Sequence, residues 1–551
     1  MNPFNHNYFL GYVNEITPQY IKIHFPSSSL LSKFHHEGVN FSGGNVGNFI
    51  VIEGEEYGFL ARIIKLNLPD SEKKEINENK IKNDQSKFHP SGEAELLLSF
   101  DLYKSDKISK TISKYPCIGA KVYSCSDKQI SKYVEKFGEQ KEEDKNIFAE
   151  LGELISNNAK CKVSLNALFG RHCAIVGTTG GGKSWTVAKL TEAILDETGN
   201  KIILIDATGE YKNLTGNSVS FGENISFHYK NLNNSDFCFL FQEHSPNTVS
   251  ALCEAIHTLK LIKLKKLDDG VKIGKDSLEV NKQIRENVHL FSDYDFDIKQ
   301  LPVQLSNECV KIGKQNRYEE DTFKLAYTSH LISRIHLFLN NKAMCSTLGI
   351  TDENNDENNK DIITKIEEFI KPEDTNQILR ISFEKLSYDF SIREIIVDFI
   401  SSYLLKKSRI DSFKNTPLVL FIDEAHQFLN KRINAEDNTT FSLQNIDLIA
   451  KECRKYGLFL CLATQMPRDI PIGTLSQIGT FIVHRLINEQ DKKAIENASS
   501  SANRNVLLFL PILGEGEALL VGVDFPMPLL IKLGVPNKKP NSNTPKLSRK
   551  S

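Results

Sequence analysis

The chain has 551 residues, 40% hydrophobic and 25% charged, with a formal net charge of −2. That length accommodates about two to four domains, and the balance is that of an ordinary globular protein rather than a disordered or fibrous one. The near-neutral charge excludes a whole-chain electrostatic footprint for nucleic acid, so any such contact must come from a local patch or from a ring of subunits.

The N-terminal MNPFNHNYFLGYVNEI has no basic segment followed by a long apolar run, so no signal peptide is expected. No run of about 18 apolar residues occurs, so no membrane span is expected. The ten cysteines include no CxxC pair, which argues against a zinc site or a disulfide framework and fits a reducing cytosol.

Residues 8–66 read as short strands separated by glycine-containing turns: YFLGYVNEI, YIKIHF, NFIVIEG and YGFLARIIKL. A polar, charged stretch over 70–90 reads as a mobile loop, and AELLLSFDLY and AKVYSC follow as strands. The simplest closure of this all-β module is a barrel.

The pattern changes near residue 160. RHCAIVG is an apolar strand ending in glycine, and WTVAKLTEAIL places Val187, Leu190, Ile194 and Leu195 on one helical face. KIILIDATGEY is a second buried strand. From about 245 the chain turns helical, with Val249, Leu252, Cys253, Ile256 and Leu259 in register, and TDENNDENNK near 351 reads as a polar loop. In SIREIIVDFISSYLL, Ile392, Ile396, Phe399, Ile400 and Tyr403 share a face. Then come the strand PLVLFIDEA, a helix from about Asn445 to Tyr456, and the strand LFLCLATQ. Strands alternating with helices predict a mostly parallel sheet covered on both faces. The tail from Pro536 has five basic residues, no acid, and an expectation of disorder.

Gly177, Thr178, Thr179, Gly180, Gly181, Gly182, Lys183 and Ser184 match the GxxxxGK[ST] phosphate loop, and Trp185, the chain's one tryptophan, follows. The loop lies between a predicted strand and a predicted helix, where backbone N–H groups and the helix N-terminus hold phosphates. Lys183 is expected on the β and γ phosphates and Ser184 on Mg²⁺. LVLFIDEA ends an apolar strand in Asp423 and Glu424. Buried acids need a partner; Asp423 is expected in the Mg²⁺ shell and Glu424 as general base for water. Gln465, after Thr464 at the end of LFLCLAT, is placed to meet the γ-phosphate or the water. Asp206 and Glu210 lie where a second strand meets the site, with a structural role for them left open. Arg454 sits off the apolar stripe of Ile446, Ile449, Ala450 and Cys453, a candidate for a neighbouring subunit's nucleotide; Arg485 in FIVHRLIN competes for that role.

As an ordered set, RHCAIVGTTGGGKSWTVAKL, IDATGEY, LFIDEAHQFL, KECRKYGLFLCLATQMPRDIP, TFIVHRLINEQDKKAI and GEGEALLVG resemble the HerA family of hexameric DNA translocases, relatives of FtsK-type pumps. GYVNEI, VGNFIVIE and YPCIGAKVY resemble the family's N-terminal HAS barrel. Ala207-Thr208 departs from the family's Pro-His. The resemblance implies a barrel over 1–155, a RecA-like P-loop NTPase core of α/β class over 156–535 with a helical insertion at about 245–400, and a basic tail over 536–551. It implies a homohexamer with ATP and Mg²⁺ at subunit boundaries, Arg454 acting in trans, and double-stranded DNA in the pore. Lys431 and Arg432 are the candidate pore-loop residues, against a plain solvated pair. It also implies an effector subunit: a NurA-like nuclease, another nuclease or a sirtuin-like protein, in DNA end processing or anti-phage defence. A scaffold ring with slow switching hydrolysis is the alternative. A conjugation or secretion ATPase shares the core but fits poorly with the barrel and the missing membrane segment.

Overall fold

The computed structural model describes residues 3–18, 20–41, 43–73, 88–102, 108–109, 114–136, 147–156, 159–267, 269–287, 295–350, 360–429, 431–434, 440–499, 504–525 and 527–542. The expected loops over 70–90 and around 351 therefore fall largely outside the described residues. Two compact units form, one from residues 1–200 with 459–551 and one from 201–458.

The strands and helices that frame the site are as follows in chain order. Six barrel strands come first, β1 (Phe9–Ile16), β2 (Tyr20–His24), β3 (Phe49–Glu53), β4 (Tyr57–Asn67), β5 (Ser91–Asp101) and β6 (Lys121–Ser124), with short strands at Phe34–His36, Val39–Phe41 and Ile108–Ser109 between them. After them come β7 (Phe148–Leu154), β8 (Lys160–Ser164), β9 (Cys173–Val176) and α1 (Lys183–Glu197). The second unit contributes β10 (Lys201–Asp206), β11 (Ser218–Ser220), α2 (Pro246–Lys263), β12 (Ile378–Ser382), α3 (Ile392–Arg409), β13 (Leu418–Ile422) and α4 (Asn445–Glu452). The chain closes with β14 (Leu458–Thr464), β15 (Thr480–Val483), β16 (Glu517–Gly522) and β17 (Leu529–Leu533).

In the first unit, β1 to β6 close into an antiparallel barrel through the pairings β1–β2, β2–β5, β5–β4, β4–β3, β3–β6 and β6–β1. All six strands are those expected from the sequence. Alternation sends Ile21 and Ile23, Ile50 and Ile52, and Phe59, Ala61 and Ile63 into one core. Each of these isoleucines and Phe59 contributes about 1.5–3 kcal/mol of burial, and closure leaves no open edge among the six. The buried ion pair Arg62–Glu95 lies in the barrel wall, N–O distance 3.1 Å.

The same unit carries the sheet order β8-β7-β17-β16-β15-β9-β14. The phosphate-loop strand β9 is central and parallel to both neighbours, β15 and β14; the outer pairings are antiparallel. Strand β9 is fully buried, as a parallel strand covered on both faces should be. Helix α1 buries Val187, Leu190 and Ile194 as expected, while Leu195 is half-exposed and Ala188 and Ala193 complete the face. The first residues of the tail lie against this helix: the Asn537 N–H donates to Glu192 at 2.6 Å, and the Lys539 amine stands 5.8 Å from the Trp185 ring centre.

In the second unit β13, β10, β12 and β11 are parallel throughout. Strand β12 is not among the expected strands; its sequence ILRIS carries a buried arginine that masks the apolar signal. Helices α2 and α3 form where expected, and α3 is buried over much of its circumference, Arg393 and Asp398 included. The second unit thus carries a parallel sheet, and the first a mixed sheet with the phosphate-loop strand in its parallel part, alongside the small barrel; both are of α/β class.

Candidate functional site

The phosphate loop turns from β9 into α1 over residues 177–182. Gly180 and Gly182 have φ of 74° and 109°, a region in which a side chain is strained. A Cβ on Gly177 would lie 2.6 Å from His484 Cβ. One on Gly182 would lie 3.2 Å from His484 Cε1 and 3.3 Å from Gly516 Cα. The glycines of the motif are therefore required twice, for chain reversal and for the close approach of residues 484 and 516. Within the loop, the Gly181 N–H donates to Thr178 O at 3.1 Å. The Thr178 N–H and hydroxyl both donate to Arg485 O, at 3.1 and 3.3 Å.

Lys183, the first residue of α1, is 7% exposed and donates to Thr178 O at 3.3 Å, arching back over the loop. No side chain caps the α1 N-terminus, whose cap residue is Gly182. An uncapped helix start, a buried ammonium and a glycine cradle are the features that hold a nucleotide's phosphates. Ser184 and Trp185 are half-buried on the first turn. Gln465, just beyond β14, accepts from the Thr179 hydroxyl at 2.5 Å, so it is joined to this loop in the structure. Arg485 reaches the loop through its carbonyl, and its side chain is exposed.

In the second unit, Asp423 and Glu424 follow β13 and are 5% and 8% exposed. The Asp423 N–H continues the ladder to Ile205 O at 3.0 Å. Glu424 adopts φ 47° and ψ 46°, a left-handed backbone that costs about 1–3 kcal/mol at a non-glycine residue and is kept where geometry is functional. Its Oε2 lies 3.3 Å from His426 Nδ1. Burial, reinforced by the nearby Glu424, Asp206 and Glu210 carboxylates, pushes the Asp423 carboxyl well above the ordinary carboxylate range. A hard carboxylate oxygen such as that of Asp423 suits the water shell of Mg²⁺, while among the described residues no group of three or more acidic, histidine or cysteine side chains that could hold a metal ion directly is found.

Asp206 is fully buried, and its oxygens are already engaged. Oδ1 accepts from the Gly209 N–H at 2.8 Å and the Thr208 N–H at 3.3 Å. Oδ2 accepts from the Tyr211 N–H at 3.1 Å and from Arg380 Nε at 2.7 Å. Arg380 also donates to Ser218 Oγ at 2.8 Å, and Arg393 reaches Ala207 O at 3.3 Å. A carboxylate holding this many donors orders the ATGEY turn. Arg380 and Arg393 escaped the sequence reading, because nothing in a single sequence announces a buried arginine's partner.

Arg454 is exposed on the 3-10 turn Cys453–Tyr456 that extends α4, while Ile446, Ile449, Ala450 and Cys453 are buried beneath. The arginine stands off the apolar face as expected. Lys431 and Arg432 open a hairpin strand, Lys431–Asn434, that pairs antiparallel with Thr440–Leu443; their side chains lie outside the described residues. Among the described residues, no helix is long and apolar enough to cross a membrane.

Two family models match in succession, "Helicase HerA, central domain" over residues 149–407 and "Helicase HerA-like C-terminal" over 409–533. A DNA double-strand break repair helicase HerA of Sulfolobus acidocaldarius is 25% identical over 400 residues, 72% of this chain and 71% of that protein. A probable helicase of Methanocaldococcus jannaschii is 25% identical over 525 residues, 93% of this chain and 85% of its own. The HerA helicase of Pyrococcus furiosus is 24% identical, with 70% and 69% covered. Among solved structures, the bacterial conjugative coupling protein TrwBdeltaN70 is 14% identical, covering 75% of this chain and 94% of that one at a TM-score of 0.44. With the phosphate loop, the buried acid pair and both family models in order along one chain, this protein belongs to the HerA family of P-loop ATPases.

Proposed function

We propose that the chain is an ATP-hydrolysing, hexameric motor that moves along double-stranded DNA in the cytoplasm. The observation that carries this reading is the phosphate loop with its buried Lys183, in a chain whose acid pair ends a buried parallel strand and whose relatives are named DNA-repair helicases. Bound Mg²⁺·ATP supplies an electrophilic γ-phosphorus and the free energy of its hydrolysis. The loop over Gly177 to Gly182 cradles the phosphates, with Thr179, Gly180 and Gly182 as the backbone donors, and Lys183 adds a positive charge there. Ser184 and Asp423 are the residues that would supply oxygen ligands to Mg²⁺. Glu424 takes a proton from the attacking water, and Gln465 reads the γ-phosphate from its place on Thr179. Trp185 packs beside the nucleotide. Asp206 acts by positioning the ATGEY turn. Arg454 completes the site of the next subunit, and the hairpin bearing Lys431 and Arg432 lines the DNA channel.

The barrel over 1–155 is the docking module for an effector, a NurA-like or other nuclease or a sirtuin-like protein, in DNA end processing or anti-phage defence. The core spans 156–535 and the tail 536–551. The test is ATP turnover with and without linear duplex DNA, alongside displacement of a triplex-forming strand and mass photometry of the assembly. DNA-stimulated turnover by a six-subunit ring that strips the third strand is the expected result. A ring that hydrolyses slowly, ignores DNA and displaces nothing would overturn the motor and favour the scaffold reading.

A further inference from the structure

His484 follows the last residue of β15 and has no exposed surface. Its backbone N–H donates to Val176 O at 2.7 Å, joining it to the residue before the phosphate loop. Its imidazole bridges two other elements. Nδ1 lies 2.9 Å from Glu517 O, at the start of β16, and Nε2 lies 2.7 Å from Thr186 Oγ1, on the first turn of α1. A carbonyl accepts only, so Nδ1 carries the proton, and Nε2 takes the one proton of the Thr186 hydroxyl, whose oxygen also lies 3.1 Å from Gly182 O. The ring is thus neutral and fixed in one tautomer. It also forms the floor of the loop: Cβ atoms on Gly177, Gly181 and Gly182 would lie 2.6, 3.3 and 3.2 Å from atoms of this one side chain.

We propose that His484 is a positioning residue of the ATPase site, which sets the curvature of the phosphate loop and the seat of the α1 N-terminus through Thr186. The inference rests on the reading of residues 177–184 as the nucleotide site. His484 touches no reacting atom in this scheme. It acts by holding the loop's glycines and the first helical turn at one spacing, so that backbone donors converge before the phosphates arrive. Such preorganisation is what makes donors effective at a phosphate. Burial, with a lesser contribution from the Lys183 charge, holds the ring's pKa down to about 4, which keeps Nε2 an acceptor at neutral pH.

The test uses four variants of the full chain: Thr186→Val, Thr186→Ser, His484→Gln and Lys183→Ala. Each is measured for Tm, for ATP·Mg²⁺ affinity by calorimetry, and for kcat and KM. Thr186→Val keeps the shape but leaves Nε2 without its donor. Its ATP affinity should fall about 5- to 100-fold, the range set by a buried acceptor losing its hydrogen bond. Thr186→Ser restores the hydroxyl and should recover affinity to within about threefold on the same bookkeeping. His484→Gln places an amide oxygen near the Nε2 position and should fall between the two. A purely structural role predicts instead a lower Tm with unchanged affinity and kcat per folded molecule, and that pattern overturns the proposal. Wild-type affinity in Thr186→Val, with Lys183→Ala defective, also overturns it while leaving the phosphate-loop reading intact. Wild-type affinity in Lys183→Ala removes the phosphate-loop reading itself, and this inference with it. Should His484→Gln fail to fold, the Thr186 pair decides.

Discussion

Arg380 Nε donates to Asp206 Oδ2 at 2.7 Å, and both side chains are buried, 3% and 0% exposed. The pair ties the middle of β12 to the end of the adjacent parallel strand β10, where Asp206 orders the turn that follows. Breaking one side of such a pair leaves an uncompensated buried charge. Arg380→Met and Asp206→Ala should therefore each cost about 3–5 kcal/mol. The double variant should cost clearly less than the sum, because the second substitution removes the charge stranded by the first. Urea unfolding of the three proteins checks this; additive losses would show the two residues to be independent.

Glu424→Gln should retain ATP binding and lose steady hydrolysis. The amide keeps size and left-handed backbone but cannot accept the water's proton, a loss of about 10²- to 10⁴-fold. Calorimetric binding combined with a phosphate-release assay separates the two effects. Normal turnover would remove Glu424 from the role of base.

Arg454→Ala should fold and bind nucleotide normally, since the side chain is exposed and stands off the buried face of α4. If the guanidinium serves the neighbouring subunit, hydrolysis should fall by about 10³- to 10⁵-fold. Mixing it with Glu424→Gln, both inactive alone, should restore partial turnover through boundaries that pair an intact Glu424 with an intact Arg454. Normal hydrolysis by Arg454→Ala in an intact ring would move attention to the exposed Arg485 side chain.

His484 makes stability depend on pH in a defined direction. Its folded pKa, lowered to about 4 from an ordinary value of 6.5, means that the unfolded chain binds the proton first. The contribution is fully present above about pH 7, declines as pH falls from 6.5 toward 4, and amounts to about 3 kcal/mol in total. Thermal unfolding between pH 7.5 and 4.5 should show a shallower slope for His484→Gln than for the wild type. Equal slopes would show that other groups carry the acid sensitivity.

The barrel strands, the phosphate loop and the acid pair were legible in the sequence because each depends on local pattern. Ile21 and Ile23 alternate within one strand, GTTGGGKS is contiguous, and LVLFI is an unbroken apolar run before Asp423. These signals arise from backbone periodicity and from burial, and they need no knowledge of a partner. Strand β12 was not legible, because ILRIS contains Arg380, whose burial makes sense only beside Asp206, 174 positions away. The same holds for His484, which reads as one polar residue ending TFIV until Thr186 and Glu517 are brought to its two nitrogens. Residue types and their order thus determined that this chain has a barrel, a phosphate loop and an acid pair at the end of a buried strand. Only the tertiary structure decided that Asp206 spends its oxygens on a turn and that an imidazole floors the loop, because a hydrogen-bond partner is chosen by proximity in space, on which single-chain periodicity is silent.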